Sequence, residues 1–375
     1  MRIAIDLRSL QSGTISGVEN YTLNLLENLL AMDKNNTHTL FYNGFKKVDL
    51  ADFQYVNVKT VKTSVPNKLL NLGLKFNILT LEKFTGQFDV LFMPNLNVIN
   101  LNTKAKIAIT VHDLSPIVAP EFYDLKRRLW HKFLNIKRLL TRADLIFAVS
   151  NYTKQDILRL YSNLPEGKIK VTYPGVDTQV FTPNIKTDSL RALRNRYSLP
   201  GDYFLFLNTI EPRKNLADLV KAFENSNLKS HLIVAGKKGW KTSGILKLLK
   251  RSPKADKIHY VGYVKEEEKP ALIKMAKAVL YPSLYEGFGF QALEAMAMGV
   301  PVVVSQVASL PEVAGDAALL VNPQNLRDLI KAMREMERNI PLRNMLITKG
   351  FERVKMFSWQ QTAQQTLAGF ESICV

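Results

Sequence analysis

The segment Tyr281–Pro311 reads YPSLYEGFGFQALEAMAMGVPVVVSQVASLP, and it is the most informative part of the chain. Its pattern predicts a strand, a glycine-rich turn, a helix, a Gly-Val-Pro turn and a second strand. Gly287 and Gly289 allow the backbone to come close to a ligand. A helix beginning near Phe290 points its free N–H groups and the positive end of its dipole into the turn, which predicts a bound anion there.

Two carboxylates accompany this turn. Glu286 lies in the turn itself, and Glu294 lies inside the helix that follows. At this spacing the carboxylates can reach different hydroxyl groups of one extended ligand. The alternative is a plain strand-turn-helix unit with one surface glutamate and one capping glutamate. The physical argument alone leaves both interpretations open.

Short apolar runs alternate with helical patterns along the chain. Continuous apolar runs of this length are typical of strands buried on both faces, and the alternation predicts βαβ units in parallel sheets. We expect an α/β fold with two doubly wound, Rossmann-like domains facing a cleft. The predicted strands are RIAIDL, THTLFY, QYVNVKTV, DVLFM, KIAITV, LIFAVS, IKVTY, YFLFLN, HLIVAG, IHYVG, AVLYP, PVVVS and ALLVN.

A cluster of prolines and glycines between Pro174 and Asp202 interrupts the alternation. This break predicts an N-terminal domain over residues 1–180 and a C-terminal domain over residues 181–355. The last helix, residues 356–375, is expected to pack back on the first domain. Ligands of such domains bind at the carboxyl ends of the strands.

Charged and polar residues follow two of the predicted strands. Arg213 and Lys214 come after YFLFLN in the motif EPRKN, where a guanidinium fork and an ammonium suit phosphate oxygens. They could equally be two solvated surface cations. His112 and Asp113 follow KIAITV, where a histidine can bind substrate. On the residues alone, a structural histidine is the better interpretation.

The loop before the first predicted helix reads QSGTISGVEN and contains glycines at positions 13 and 17. Ser16 to Glu19 match a capping box, S-x-x-E, which predicts a helix start. The apolar residues that follow recur at helical spacing, as on a core-facing helix.

Composition narrows the possible functions. The one cysteine, Cys374, and an N-terminus that reads as a strand rather than a signal peptide predict a cytoplasmic protein. The net charge of +18 fits nucleic acid, anionic lipid, a phosphorylated substrate or simple lysine enrichment. We expect no metal or cofactor because D-x-D, P-loop and paired Cys/His motifs are absent, and no nucleic acid because no basic–aromatic module occurs.

The turn and its helix resemble a known family. EGFGFQALEAM is similar to the E-x7-E motif of retaining glycosyltransferase family 4, which has the GT-B fold, and the following GVPVVVSQVASLPEVAGDAALLVNP matches as well. The resemblance implies that Glu286 contacts the donor sugar in catalysis. It also implies that the backbone of Phe288 and Gly289 contacts the sugar or diphosphate, and that Glu294 holds the ribose hydroxyls.

The same resemblance suggests roles for the other motifs. Arg213 and Lys214 would neutralise the donor diphosphate. His112 would border the donor sugar and the acceptor, and Asp113 would orient His112 or bind the acceptor. Gly17 would approach the diphosphate and the acceptor. The first domain would bind the acceptor and the second the nucleotide sugar.

The chain is most similar in pattern to bacterial mannosyltransferases of polysaccharide assembly. This resemblance implies metal-independent, retaining transfer of a hexose, with mannose from GDP-mannose favoured, to a glycan or polyprenyl-linked acceptor. The leaving phosphate would accept the proton of the acceptor, with attack on the same face. Two alternatives remain at this point: a sugar-nucleotide 2-epimerase of the same fold, and a non-catalytic sugar-nucleotide or polysaccharide binding protein.

The segment 126–142, KRRLWHKFLNIKRLLTR, carries much of the positive charge. A basic helix with tryptophan and phenylalanine is typical of an interfacial membrane anchor, and several basic residues near anionic lipid suffice for reversible docking. The alternative is an ordinary amphipathic helix with its apolar side in the core. From the first interpretation we predict peripheral binding to the inner membrane face.

Overall fold

The computed structural model describes residues 1–12, 17–44 and 53–374. The chain divides into two compact units. The first comprises Met1–Leu114, Arg128–Gly175 and the chain from Ser358 onward. The second comprises Ser115–Arg127 and Val176–Phe357.

Thirteen strands are present in the described residues. Most are short and consist of buried apolar residues, as in VLFM, LIFA, YFLFL and AVLY, because helices cover both faces of the sheets. The strands are β1 (Arg2–Asp6), β2 (Thr37–Asn43), β3 (Val58–Thr63), β4 (Val90–Met93), β5 (Lys106–Val111), β6 (Leu145–Ala148), β7 (Ile169–Val171), β8 (Tyr203–Leu207), β9 (His231–Ala235), β10 (Ile258–Gly262), β11 (Ala278–Tyr281), β12 (Val302–Ser305) and β13 (Leu319–Val321).

The α-helices connect these strands, and among those described none is long and apolar enough to cross a membrane. They are α1 (Gly17–Met32), α2 (Asn67–Lys75), α3 (Glu82–Thr85), α4 (Ser115–Val118), α5 (Leu125–Leu134), α6 (Ile136–Arg142), α7 (Asn151–Leu160), α8 (Thr187–Arg196), α9 (Leu216–Glu224), α10 (Ser243–Arg251), α11 (Lys269–Lys274), α12 (Phe290–Ala297), α13 (Leu310–Ala314), α14 (Leu326–Arg338), α15 (Ile340–Val354) and α16 (Trp359–Cys374).

Each unit contains one parallel sheet. The first sheet has the order β3-β2-β1-β4-β5-β6-β7, and the second has the order β10-β9-β8-β11-β12-β13. Both orders reverse direction beside their first strand, as in doubly wound sheets, where ligands bind at the carboxyl ends of the strands next to the reversal. The predicted α/β fold with two Rossmann-like sheets is confirmed.

The boundaries of the units differ from a simple division at residue 180. The segment 115–127 belongs to the second unit because aromatic contacts attach it there. The ring of Tyr123 stacks on Trp240 at 5.3 Å, and Trp240 Nε1 donates to the carbonyl of Phe122 at 2.6 Å. A contiguous domain over residues 1–180 is therefore wrong for this segment.

The last helix, α16, belongs to the first unit and packs against α1 and the sheet. The ring of Trp359 lies 5.7 Å from that of Tyr21 on α1. A Cβ at Gly369 would lie 2.6 Å from the ring of Phe147, so the glycine permits close approach of the helix to β6.

The basic segment 126–142 is two helices rather than one. Asn135 adopts a left-handed conformation with φ of 53° between α5 and α6, and its side chain accepts a hydrogen bond from Arg138 N. Asparagine tolerates this conformation better than most residues, which explains the break. In α6, Ile136, Leu139 and Leu140 are buried, as in an ordinary amphipathic helix.

Candidate active site

The glycine-rich turn leads from β11 to α12 and is held in place by contacts with Ser309 and Leu310. Gly289 has φ of +127°, and a Cβ there would meet Leu310 Cδ2 at 2.7 Å. The hydroxyl of Ser309 donates to the carbonyl oxygens of Glu286 at 2.9 Å and Phe288 at 2.7 Å. Because Ser309 is fully buried, these bonds hold the turn rigidly at the N-terminus of α12.

Glu286 is ion-paired with both cations that follow β8. Its Oε1 lies 2.5 Å from Lys214 Nζ, and its Oε2 lies 2.9 Å from Arg213 Nη1. Arg213 Nη2 also lies 2.9 Å from Glu211 Oε1. We name these four residues, Glu211, Arg213, Lys214 and Glu286, the charge cluster.

The charge cluster is buried, which shifts the pKa values of its members. Burial alone would raise the pKa of Glu286, but Lys214 and Arg213 lower it to about 2. Burial and the neighbouring Arg213 lower the pKa of Lys214, while burial raises that of Glu211. Glu286 is therefore ionised at every pH at which the protein would work, and it cannot donate a proton.

Glu211 is a member that sequence reasoning missed. It belongs to the same EPRKN motif and is almost completely buried. The available signal was a carboxylate two positions before an arginine and four positions after the end of a buried strand. Its charge compensates one cation, so two positive and two negative side chains are balanced before a ligand arrives.

Glu294 has a different environment. It lies on α12, only 3% exposed, and its Oε2 has no hydrogen-bond partner among the described residues. Burial raises its pKa to about 7, with Glu266 adding to the effect and Lys269 opposing it. Such a buried, unpartnered carboxylate oxygen calls for a donor, for example a ligand hydroxyl.

His112 directly follows β5 in the first unit. Its Nε2 lies 2.8 Å from the carbonyl oxygen of Pro94, and its ring meets that of Tyr21 edge-on at 4.7 Å. Burial lowers the pKa of His112. In the neutral ring, Nε2–H donates to Pro94, so Nδ1 is left as a hydrogen-bond acceptor.

The structure thus brings Arg213, Lys214 and Glu286 together, with Phe288 and Gly289 adjacent in the turn. Glu294 lies in the same unit on α12. Other predicted residues lie in the first unit: His112 and Asp113 after β5, and Gly17 at the start of α1. Gly13 and Ser16 of the predicted loop and capping box lie outside the described residues.

Comparison with known proteins places this site in a family. Residues 15–180 match the model of Glycosyltransferase Family 4, and residues 194–353 match that of Glycosyl transferases group 1. The chain is 33% identical to O-antigen chain mannosyltransferase B of Escherichia coli over 70% of this chain and 69% of that protein. The chain belongs to glycosyltransferase family 4. It is a hexosyltransferase, as the resemblance of its motifs implied.

Other members of the family and of the fold are more distant. The serotype-specific mannosyltransferase WbdA of Escherichia coli is 28% identical over 72% of this chain, which spans 34% of WbdA. Sucrose-phosphate synthase from Thermosynechococcus elongatus superimposes with a TM-score of 0.79 at 20% identity, covering 100% of this chain and 99% of that one. Anabaena Alr3699/HepE, solved with UDP and glucose, gives 0.75 at 18% identity, covering 99% and 100%. These structures confirm the GT-B fold.

Proposed function

We propose that this glycosyltransferase moves a hexose from a nucleoside diphosphate sugar to a glycan or lipid-linked acceptor with retention of anomeric configuration. The observation that carries the proposal is the buried charge cluster beside the N-terminus of α12, at the carboxyl ends of β8 and β11. We propose mannose as the transferred hexose, because two relatives are named mannosyltransferases, and GDP-mannose as the donor to be tested first.

In this proposal the diphosphate binds between the cations and the glycine turn. Arg213, Lys214 and the N–H groups at Gly289 stabilise the charge that develops on the leaving phosphate. Glu286, held ionised by those cations, accepts hydrogen bonds from the hexose hydroxyls. Glu294, whose Oε2 has no hydrogen-bond partner in the described part of the chain, accepts hydrogen bonds from the ribose.

The first unit contributes the acceptor side. The bond from the hexose anomeric carbon to the diphosphate breaks, and the acceptor oxygen bonds to that carbon from the same face. The acceptor's proton goes to the departing phosphate oxygen, so no protein base is required. Neutral His112 offers Nδ1 to a substrate hydroxyl, Asp113 orients His112 or binds the acceptor, and Gly17 adjoins both substrates.

One experiment separates this proposal from other uses of the fold. A thermal-shift panel of GDP, UDP, dTDP and ADP identifies the base, since a ligand at 100 times its Kd stabilises a protein by about 2.7 kcal/mol. The matching nucleotide sugar is then incubated with and without a glycan acceptor, and the products are followed by NMR. An α-linked product formed from an α-linked donor supports the proposal. Conversion of the donor without acceptor would instead indicate an epimerase. No conversion in either incubation would indicate a binding protein.

Turnover is expected to survive EDTA, because Arg213 and Lys214 can donate charge-assisted hydrogen bonds to the diphosphate oxygens where other enzymes use a metal. The measurement is the initial rate of transfer before and after chelation, with and without added Mg²⁺. Full loss of activity that Mg²⁺ restores would refute metal independence.

A membrane surface is proposed as a second partner, because α5 exposes apolar side chains. Leu129 is 58% exposed, and only Leu134 of this helix is buried. The neighbouring segment contributes Phe76 and Ile78, which are 64% and 69% exposed. We name the docking surface as the apolar Leu69, Phe76, Ile78 and Leu129 with the basic Arg128 and Lys132, all of them exposed.

Docking is tested by co-sedimentation with vesicles of anionic phospholipid. Replacing Arg128 and Lys132 by serine is expected to weaken binding about thirtyfold, since each basic residue near anionic lipid contributes about 1 kcal/mol. Arg127 is left intact because it is ion-paired with Asp124. The matched control removes two exposed cations of α14, Lys331 and Arg338, and should bind like the wild type.

Binding should also fall with salt and require anionic lipid. If the wild-type protein ignores anionic vesicles at low salt, or if both double variants weaken equally, the docking proposal fails. The acceptor would then be presented in solution.

A further inference from the structure

A cavity of about 510 Å³ opens in the first unit and is separate from the charge cluster. Four elements at the carboxyl edge of the sheet form its wall: the segment after β1, the loop after β4, helix α2 and helix α5. The size is that of a small-ligand site. The lining residues are Arg8, Asn67, Lys68, Asn71, Leu72, Asn97, Trp130 and Phe133.

Three asparagines of the wall have their carbonyl oxygens fixed. Asn67 Oδ1 accepts from Asn43 Nδ2 at 2.7 Å, Asn71 Oδ1 accepts from Arg8 Nη1 at 3.3 Å, and Asn97 Oδ1 accepts from Val98 N at 2.8 Å. These donors set the amide orientations, since a flip would place N–H against N–H. In the part of the chain that the structure describes, the three Nδ2 groups have no acceptor.

Arg8 lines the cavity, but its fork is not available to an anion. Both nitrogens of the Arg8 fork bind Asp6, Nε to Oδ1 at 2.8 Å and Nη2 to Oδ2 at 2.6 Å. Nη2 also donates to the carbonyl oxygen of Val98 at 2.7 Å. Asp6, Val98 and Asn71 occupy the nitrogens of Arg8, so the amide donors, together with the exposed Lys68, form the polar part of the wall.

Two aromatic residues, Trp130 and Phe133, also line the cavity. The rings of Trp130 and Phe133 lie 5.8 Å apart at 30°, and Trp130 is 40% exposed. The ammonium of Lys75 lies 3.6 Å from the centre of the Phe133 ring and fixes it. Aromatic rings and amide donors in one cavity suit a ligand that has an apolar face and several neutral hydroxyl oxygens. A hexose ring has both features.

We infer that this cavity binds a non-reacting sugar unit of a neutral glycan acceptor. The inference deepens the proposed function by naming the acceptor chemistry, and it rests on that function. The sheet order supports the position: β4, which leads to Asn97, neighbours β5, which leads to His112. His112 is also bound to Pro94, three positions before Asn97. The cavity therefore lies one or two strands to the side of His112, where the next sugar of an acceptor would extend.

The direct test is calorimetry of the full chain with the neutral trisaccharides mannotriose, maltotriose and galactotriose. At least one should bind the wild type. Asn71→Leu is expected to weaken it about fivefold through the loss of one amide hydrogen bond. Trp130→Ala is expected to weaken it about tenfold through the loss of the aromatic face. Asn163→Ala, a change at an exposed asparagine outside the cavity, should bind like the wild type.

Nucleotide binding, measured on the same variants, separates this inference from the proposed function. Unchanged nucleotide affinity with reduced trisaccharide affinity supports the acceptor site. Absence of trisaccharide binding to the wild type, equal binding in all variants, or tighter binding of a sugar phosphate at this cavity would overturn it. Failure of every nucleotide to bind would instead count against the proposed function, and trisaccharide calorimetry would still decide the nature of the cavity.

Discussion

Replacing Lys214 by methionine is expected to lower kcat for hexose transfer by about tenfold to a hundredfold. Methionine keeps the length and apolar stem of the side chain and removes the ammonium that contacts Glu286 Oε1 at 2.5 Å. In the proposed mechanism the same ammonium donates to the leaving diphosphate. A hydrogen bond to a charged group contributes about 1.5–3 kcal/mol, and a bond that forms fully only in the transition state lowers the barrier by that amount. Its loss then lowers kcat by the stated factor. Lys247→Met, at an exposed position of α10, is the matched control.

Stability must be separated from catalysis, because Lys214 is part of a buried cluster. Removing one cation leaves the two carboxylates, Glu211 and Glu286, with Arg213 alone, and uncompensated buried charge destabilises a protein. The double variant Lys214→Met with Glu286→Gln restores the charge balance. We expect it to recover the unfolding temperature, while its rate stays below that of Glu286→Gln alone. A rate equal to that of Glu286→Gln alone, or normal turnover in Lys214→Met, would show that Lys214 acts only in folding.

The parallel sheets and the turn before α12 were predictable because their signals are local. Runs such as YFLFLN and AVLYP are apolar on both faces, and only a strand covered on both sides uses such a run. The glycine turn was likewise visible in the spacing of Gly287 and Gly289. The features that escaped prediction depend on contacts between distant segments.

Three such features illustrate this limit. The segment 115–127 belongs to the second unit because of Trp240, which lies more than a hundred positions later in the chain. The amide-lined cavity combines α2 with the loop after β4 and with α5. The break at Asn135 had a local signal, a residue that tolerates positive φ, but the helical pattern on both sides obscured it.

The two glutamates of the E-x7-E motif show the same limit in their electrostatics. Their spacing is visible in the sequence, but their pKa values depend on neighbours that the spacing does not reveal. Lys214 and Arg213 hold the pKa of Glu286 at about 2, whereas burial raises that of Glu294 to about 7. One motif therefore supplies a permanent anion and a carboxylate that titrates near neutral pH, a difference that supports separate roles.

Donor affinity is expected to fall about tenfold between pH 8 and pH 6, and Glu294 is the cause. Ribose hydroxyls donate to a carboxylate, so the ionised form of Glu294 binds best. Because its pKa is raised to about 7 in the free protein, the side chain is mostly ionised at pH 8 and mostly protonated at pH 6. Binding must displace that proton at the lower pH, and affinity drops as the pH falls below 7.

The measurement is calorimetry with a nucleoside diphosphate sugar, whose phosphates do not titrate in this range. At pH 8, Glu294→Gln should bind the donor about tenfold to a hundredfold more weakly, because it loses charge-assisted hydrogen bonds to the ribose. Its affinity should no longer depend on pH. Glu286→Gln is the matched variant. It should mainly lower turnover and keep the wild-type pH dependence, because Glu286, with a pKa of about 2, does not titrate between pH 6 and pH 8. If Glu294→Gln retains the pH dependence, or if both variants lose equal donor affinity, the assignment of Glu294 to the ribose is wrong.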